Sequence, residues 1–307
     1  MRGPKVLRPE TDGERLDRFL AAALPSYSRA YLKGLIAKGC VKVEGSPKRP
    51  DYRLKAEEAV EVSFPEPGWL RIPFEDWVLH EDEALLVLDK PAGLLMHPLG
   101  ESWTRAPQAA LSEEEPNLAG LLQLHRPGIL AARVPRCGIV HRLDRQTSGV
   151  LLVAKTRRAY ESLTRAFKER EVDKVYRAIV AGVPALASLK VSAPVGRGPG
   201  RRLVKVTPLG RPAETAFRVL EAGAGAALVE ARPLTGRTHQ IRAHLAHLGH
   251  PVLGDPEFDK AGSEPRPPRL MLHAWRVELA HPASARRVSY RASVPRDFRE
   301  FWRRLRG

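Results

Sequence analysis

The hydrophobic positions near the N-terminus follow first the spacing of helices and then that of strands. Residues 16–24 carry leucines and a phenylalanine at helical intervals, and Pro25 ends this run. A second helix is predicted to begin at Ser28 and to stop at Gly39. Valines at 41 and 43, and again at 60 and 62, alternate with polar residues and predict two short strands. The pattern therefore predicts a small α+β unit.

Longer apolar runs and alternations predict a larger sheet further along the chain. Residues 85–88 and 150–154 are uninterrupted apolar runs, typical of strands that are buried on both faces. Tyr176, Ala178 and Val180 share one face of another predicted strand. A helix with buried residues at positions 298, 301, 302 and 305 is predicted to close the chain.

The segments between these elements differ in composition. Three prolines and a glycine in residues 65–73 predict a linker. Residues 100–116 are acidic, contain proline and have no periodicity, so we expect a surface excursion there. Asn117 is the predicted N-cap of a short helix that follows.

The charge balance narrows the class of partner. The chain has 307 residues and a formal net charge of +16, which favours binding to a polyanion such as nucleic acid. No apolar stretch approaches the roughly 20 residues that span a bilayer, and the N-terminus has no apolar signal-peptide core, so we expect a cytoplasmic protein. The two cysteines, Cys40 and Cys137, exclude a disulfide framework and a cysteine-based zinc site.

The segment HRLDRQTSGVLLVAKT, residues 141–156, places a single carboxylate beside a buried strand. Asp144 lies between Arg142 and Arg145, and we expect these positive charges to keep it ionised at neutral pH. The strand would hold the loop rigidly. The alternative is an ordinary surface ion pair.

Three further segments carry candidate chemistry. They are DKPAGLLMHP from residue 89, DKVYRAIVAG from residue 173, and TGRTHQIRAHLAHLGHPVLGDPEFD from residue 235. In the third, His244 and His247 could share a helix face as zinc ligands, and the carboxylates at 255, 257 and 259 could hold magnesium. The sequence contains neither a GxGxxG motif nor a phosphate-loop lysine at a strand–helix junction, so no nucleotide cofactor is expected.

Together, HRLDRQTSG and GRTHQIRAHLAHLGHPVLGD resemble the RluA-type family of pseudouridine synthases, over residues 78–301. The resemblance implies a pseudouridine synthase fold of the α+β class, with a mixed, mostly antiparallel central sheet and flanking helices. It implies isomerisation of RNA uridine without a cofactor. It also implies three catalytic residues: Asp144 as the essential aspartate, Tyr176 as the active-site tyrosine and Arg242 as the partner of the aspartate, with Arg237 as second choice for that partner.

The N-terminal unit resembles the RNA-binding domain first described in small-subunit ribosomal protein S-four. Within the family, this domain implies large-subunit rRNA as substrate, free or in the ribosomal particle. VPRCGIVHRLDR, residues 134–145, is most similar to the D-type enzymes, with the C-type enzymes as competitors. The predicted domains are 12–66 for RNA binding, 67–75 as linker and 76–307 for catalysis.

Basic residues near these motifs are candidates for binding RNA phosphates. They are Arg29 and Lys33 on the second helix, Lys90, His141, Arg142, Arg237, and Arg201 with Arg202 in a glycine-rich loop. We expect a monomer that binds RNA but neither DNA nor a membrane. The competing hypotheses are a non-catalytic ribosome-assembly factor and, more distantly, a metal-dependent RNA nuclease.

Overall fold

The structure is a computed structural model that describes residues 4–25, 27, 29–64, 72–98, 102–105, 110–111, 115–198, 203–259 and 265–307. The chain forms two compact units. The first consists of Met1–Phe74, Leu95–Ala131 and Pro135–Cys137, and the second of Glu75–Leu94, Ala132–Val134 and Gly138–Gly307. The predicted linker lies largely outside the described residues.

The N-terminal part of the first unit packs two helices on a small sheet. The helices are α1 (Leu16–Ala23) and α2 (Arg29–Ala37), and the strands are β1 (Lys5–Leu7), β2 (Val41–Val43), β3 (Ser46–Pro47) and β4 (Val60–Val62). The strand order is β1-β4-β2-β3. The leucines of both helices and the valines of the strands are buried together, as their spacing predicts. Gly39 follows α2 with φ +70°, the left-handed conformation that ends many helices.

Three short helices complete the first unit: α3 (Ser102–Arg105), α4 (Leu118–His125) and α5 (Pro127–Ala131). Asn117 caps α4 as predicted, because its side chain accepts a hydrogen bond from the Gly120 amide at 2.9 Å. The prediction of a surface excursion over 100–116 is wrong at two described positions. Trp103 is buried and stacks on His97, and Ala110 is buried as well. Local periodicity cannot reveal burial of this kind, because the contacts come from outside the segment.

The second unit contains a nine-stranded sheet, in the order β5-β6-β7-β14-β8-β13-β12-β9, with β15 also paired to β14. Its strands are β5 (Val78–Glu81), β6 (Leu85–Lys90), β7 (Ser148–Ala154), β8 (Asp173–Ala181), β9 (Ser188–Ser192), β12 (Glu214–Gly223), β13 (Ala226–Pro233), β14 (Leu272–Ala280) and β15 (Arg287–Arg291). A separate hairpin joins β10 (Val195–Arg197) to β11 (Val204–Val206). Among the described strand pairs of the sheet, β7 with β14 is parallel and the others are antiparallel, so the predicted fold class is confirmed.

Three helices pack against this sheet: α6 (Arg157–Glu169), α7 (Gln240–His247) and α8 (Arg296–Arg306). The predicted C-terminal helix is confirmed. Phe298, Phe301, Trp302 and Leu305 of α8 are buried, and full burial of each such side chain contributes about 1.5–3 kcal/mol. No helix in the described residues is both long and apolar enough to cross a membrane.

Strand β14 lies between β7 and β8, which are neighbours in sequence, and it approaches β7 closely at Gly149. This glycine has φ +113°, and a Cβ there would lie 2.2 Å from the carbonyl oxygen of Ala274. The close approach brings the loop before β7 to the same part of the sheet as β8. The candidate residues before β7 and on β8 therefore meet near the middle of the sheet.

Candidate active site

The loop that carries Asp144 is anchored to β7 through His141. The Nε2 atom of His141 accepts a hydrogen bond from the Leu152 amide at 2.8 Å, and its ring stacks on Phe167 with centroids 4.6 Å apart. Burial, followed by the charge of Lys174, lowers the pKa of His141 to about 3. A neutral ring that is used as an acceptor cannot pair with a phosphate as a cation. The structure thus gives His141 an anchoring role at the edge of the cavity, and its predicted contact with RNA remains a prediction.

Lys90 also supports this loop from inside the protein. Its side chain is 1% exposed, and its Nζ atom donates to the carbonyls of Pro91, Leu94 and Arg145 at 2.8, 3.1 and 3.1 Å. Three acceptors match the three donors of an ammonium group. Lys90 therefore joins the turn after β6 to the loop of Asp144, and the predicted contact with RNA is corrected. The sequence shows the charge of this lysine but not its burial.

Asp144 meets its main partner on α7. Its Oδ2 atom lies 3.3 Å from Nη1 of Arg242, which is 5% exposed. The sequence predicted that the charges of Arg142 and Arg145 act on Asp144. In the structure, Nε of Arg145 instead donates to the carbonyl oxygen of Gly93 at 3.1 Å. The structure therefore brings together Asp144 and Arg242, the two residues that the family resemblance paired.

Arg242 is fixed from its other side by Asp255. Its Nε and Nη2 atoms donate to the two carboxylate oxygens of Asp255 at 2.6 and 2.7 Å, a bidentate geometry. Burial lowers the pKa of Arg242, but the hydrogen bonds and charge of Asp255, followed by the charge of Asp144, outweigh this effect and raise it. Arg242 is thus a buried, permanent cation that presents one nitrogen to Asp144.

His239 approaches the second oxygen of Asp144. It precedes α7 with φ 53° and ψ 21°, a left-handed conformation that is uncommon for any residue except glycine. Its Nε2 atom lies 3.7 Å from Oδ1 of Asp144, and its Nδ1 atom lies 3.2 Å from Oε2 of Glu257. Arg242 and His239 therefore face different oxygens of the same carboxylate.

Residues 239, 255 and 257 are the part of the site that the sequence reasoning missed. The sequence offered Asp255 and Glu257 as magnesium ligands, whereas the structure pairs them with Arg242 and His239. The available signal was that Asp255 lies in the same motif as Arg242. His244, a candidate zinc ligand, uses both ring nitrogens within the fold, with Thr215 and the carbonyl of Ala193, each at 2.9 Å.

A cavity of about 570 Å³ opens beside Asp144. Tyr176, Arg142, Arg237, His239 and Leu272 are among its lining residues. A volume of this size lies in the range of small-molecule sites. Burial, followed by the charge of Asp144, raises the pKa of Tyr176, so the phenol stays protonated at neutral pH. The cavity thus offers one small ligand the carboxylate of Asp144 and the protonated phenol of Tyr176, whose ring can also stack on the ligand.

The remaining RNA-binding candidates fall into three groups. Arg142 is exposed at the cavity, and Arg237 lines it while donating from Nε to the Pro212 carbonyl at 3.2 Å. Arg201 and Arg202 lie outside the described residues. The third group, Arg29 and Lys33, belongs to the N-terminal unit.

On α2, Arg29 and Lys33 share a buried counter-ion with Arg15. Asp17 is fully buried and lies 2.8 Å from Arg29, 3.5 Å from Lys33 and 3.0 Å from Arg15. Burial raises the pKa of Asp17, but hydrogen bonds from Arg15 and Arg29 hold it well below its usual range. The side chains of Arg29 and Lys33 are still about half exposed, at 53% and 47%. Their helix face therefore carries positive charge that faces solvent.

Comparison with known proteins identifies the family of this chain. A model of the family described as RNA pseudouridylate synthase matches residues 84–247, and a model of the S4 domain matches residues 14–60. The ribosomal large subunit pseudouridine synthase D of Nitrosomonas europaea is 37% identical over 93% of this chain and 82% of its own length. The protein of the same name from Pseudomonas aeruginosa is 37% identical over 94% of this chain and 91% of its own length.

A solved structure, human RNA pseudouridylate synthase domain containing 4, superposes with a TM-score of 0.55 and 26% identity, over 76% of this chain and 94% of that one. A second, human RNA pseudouridylate synthase domain containing 1, gives a TM-score of 0.54 at 26% identity, over 75% and 94%. The two family matches lie on the two kinds of structure described above, the small N-terminal sheet with its helices and the large sheet with the cavity. The chain belongs to the RNA pseudouridylate synthase family.

Proposed function

We propose that this enzyme isomerises specific uridines in large-subunit rRNA, with Asp144 as the essential carboxylate, Arg242 as the residue that orients it and Tyr176 against the uracil ring. One observation carries the proposal. A single carboxylate, held 3.3 Å from a buried arginine, borders a cavity of nucleoside size that also contains a protonated phenol. The substrate follows the names of the relatives, which specify the ribosomal large subunit.

The chemistry requires one ionised carboxylate and no redox partner. The bond between N1 of uracil and C1′ of ribose breaks, and the uracil leaves as a delocalised anion. The ring turns, C5 bonds to C1′, the proton on C5 is lost and N1 gains one, so the atoms balance. Asp144 either attacks C1′ as a nucleophile, in a bond that breaks when C5 bonds to C1′, or removes a proton from the sugar and later returns it. Both routes need its ionised form. A glycosidase, by contrast, needs a second carboxyl group as acid.

Arg242 and Tyr176 divide the remaining work in this proposal. The guanidinium of Arg242, fixed by Asp255, holds Asp144 and directs its carboxylate at the sugar. Tyr176 has a raised pKa, so it serves as a stacking surface and hydrogen-bond donor and not as a base. Its partly buried ring packs against the core of the sheet, which holds it in place.

RNA binding has to present the target uridine outside its stack, because a stacked base cannot reach a cavity. Arg142 and Arg237 line the cavity, and in this proposal they contact the phosphates next to the flipped nucleotide. The N-terminal domain, residues 12–66, adds affinity as a tethered second binding module through Arg29 and Lys33. We infer that the protein is a cytoplasmic monomer. Analytical ultracentrifugation tests the oligomeric state, and cell fractionation tests the location.

The test is the conversion of Asp144→Asn and Asp144→Ala, with Asp76→Asn as the matched control. Asp76 is an exposed carboxylate outside the cavity. Pseudouridine is mapped in rRNA incubated with each variant, and RNA binding is measured in parallel. We expect both Asp144 variants to bind RNA and form no product, and the control to act as wild type. Product from Asp144→Ala would refute the proposal, and wild-type protein that binds rRNA without isomerising it would favour the assembly-factor alternative.

A further inference from the structure

The sheet face opposite the cavity carries a row of arginines that the proposed chemistry does not use. Successive side chains of a strand point to opposite faces, so Arg177 lies on the face away from Tyr176. Cross-strand register places Arg177 opposite Glu230, and Glu230 opposite Arg218. Arg232 is two residues beyond Glu230 on β13 and shares this face.

One carboxylate serves three of these guanidinium groups. Glu230 lies 3.0 Å from Arg232, 3.3 Å from Arg218 and 3.6 Å from Arg177, and its side chain is 4% exposed. Arg218 and Arg232 are more than half exposed, at 59% and 52%. Burial lowers the pKa of Arg177, and the neighbouring arginines lower it further against the effect of Glu230. The three positive charges of these arginines thus exceed the single negative charge of Glu230.

Trp275 extends the row at a β-bulge between β14 and β8. The guanidinium carbons of Arg177, Arg291 and Arg276 lie 4.2, 5.4 and 5.9 Å from its ring centre. A carboxylate oxygen of Glu278 lies 3.6 Å from Nη1 of Arg276. The row therefore continues across β14 to β15 with an aromatic ring among its charges.

We call this set the arginine face: Arg177, Arg218, Arg232, Arg276 and Arg291, with Trp275, Glu230 and Glu278. It crosses five adjacent strands, β12, β13, β8, β14 and β15. At about 4.8 Å between strands, the face is roughly 19 Å long. The same face of these strands also carries Arg287, Asp173 and Glu214, so six arginines oppose four carboxylates over this length.

We propose that the arginine face binds the phosphate backbone of the RNA substrate at a site distant from the target uridine. The proposal rests on the proposed function, since it assumes that RNA is the substrate. Guanidinium groups in a row beside an aromatic ring match a flexible single strand, whose phosphates pair with arginine and whose bases stack. An RNA that reaches both faces of the sheet has to be long, which distinguishes extended rRNA from a short stem-loop.

The experiment uses the full chain with Arg218→Gln combined with Arg291→Gln. In this variant Glu230 still forms ion pairs with Arg177 and Arg232, so the buried carboxylate is not left without a partner. The dissociation constant is measured at several salt concentrations for a long rRNA fragment and for a short stem-loop around the target uridine. Each lost phosphate contact reduces the magnitude of the slope of log affinity against log salt concentration by about 0.7–0.9. The slope of the double variant should therefore be smaller in magnitude by about 1.4–1.8. At 0.1 M salt this corresponds to an affinity weakened roughly 25- to 60-fold for the long fragment.

The matched control is Arg157→Gln with Arg158→Gln, two exposed arginines at the start of α6 that carry the same change in charge. We expect this control and the short stem-loop to show unchanged slopes. The single-turnover rate at saturating RNA should also stay unchanged in both double variants. An unchanged slope for the long fragment, or an equal loss in the control, would overturn the proposal.

Arg291→Gln alone leaves every ion pair of Glu230 intact and should lower the slope by about 0.7–0.9, so it decides the question if the double variant does not fold. Failure of the proposed function is a separate result, because it appears as absence of pseudouridine with the wild-type enzyme, whatever the salt slopes.

Discussion

The support that Asp255 gives to Arg242 leads to a prediction about both stability and rate. Asp255→Asn keeps the shape of the side chain but removes the charge and one of the two acceptors, whose bonds are 2.6 and 2.7 Å long. Breaking a buried ion pair costs about 3–5 kcal/mol. Asp144 and Glu257 remain at 3.3 and 3.5 Å from the guanidinium, so we expect the lower end, about 3 kcal/mol.

For a unit of this size, about 3 kcal/mol lowers the melting temperature by roughly 6–12 °C. The released Arg242 no longer holds Asp144 in one orientation, and a misplacement of about 1 Å can reduce a rate by roughly 100-fold. We therefore expect kcat to fall about 100-fold in single-turnover assays of pseudouridine formation, with KM nearly unchanged, because Asp255 does not line the cavity.

Asp259→Asn is the matched control for this variant. Asp259 lies on the same loop, and its Oδ2 atom accepts a hydrogen bond from the Gly254 amide at 2.9 Å, a bond that an asparagine oxygen can also accept. Its melting temperature and kcat should stay near those of the wild type. If Asp255→Asn matches this control in both measurements, Asp255 does not position the arginine and the reasoning is wrong.

Three further predictions concern the pH response, the sheet and the tyrosine. The pKa of His141 is about 3 in the folded protein and 6.5 in the unfolded chain, so the unfolded chain binds more protons between these values and stability falls as the pH falls. We expect urea titrations to show about 2 kcal/mol lost to this group between pH 7 and pH 5, a loss absent in His141→Gln. Gly149→Ala should destabilise the protein by at least about 3 kcal/mol in thermal melts, because the added Cβ would lie 2.2 Å from a backbone oxygen. Gly225 also has a positive φ but has open space around it, so Gly225→Ala should destabilise the protein by only about 1 kcal/mol. The pKa of Tyr176 is raised above 10, so its hydroxyl does not titrate between about pH 7 and 10. Plots of rate against pH should therefore have the same shape for the wild type and Tyr176→Phe in this range. A change in slope that only the wild type shows would contradict this.

The elements that local periodicity defines were predictable from the sequence. Phe298 and Phe301 belong to a helical repeat and residues 150–154 are an unbroken apolar run, and both elements form as predicted. Trp103 shows the limit of this method. Its burial depends on His97 and other residues outside its own segment, and no spacing within 100–116 records those contacts.

The candidate site shows the same division between motif and geometry. Asp144 and Arg242 are 98 positions apart, and their pairing came from a resemblance of motifs, since no local pattern joins such distant residues. The position of His239 depends on a left-handed backbone conformation that its residue type does not predict. Lys90 was assigned to RNA because sequence displays charge, whereas three backbone carbonyls determine where its side chain lies.

The insertion of β14 between β7 and β8 has a consequence for the enzyme during its own synthesis. A nascent chain that has reached residue 271 already contains Asp144, Tyr176, Arg242 and Asp255, yet it lacks the strand that joins the two halves of the sheet. Catalytic competence is therefore gained only when β14 has been made, after all four of these residues are already in the chain. A ribosome that is still producing this protein is not exposed to the activity of the unfinished product.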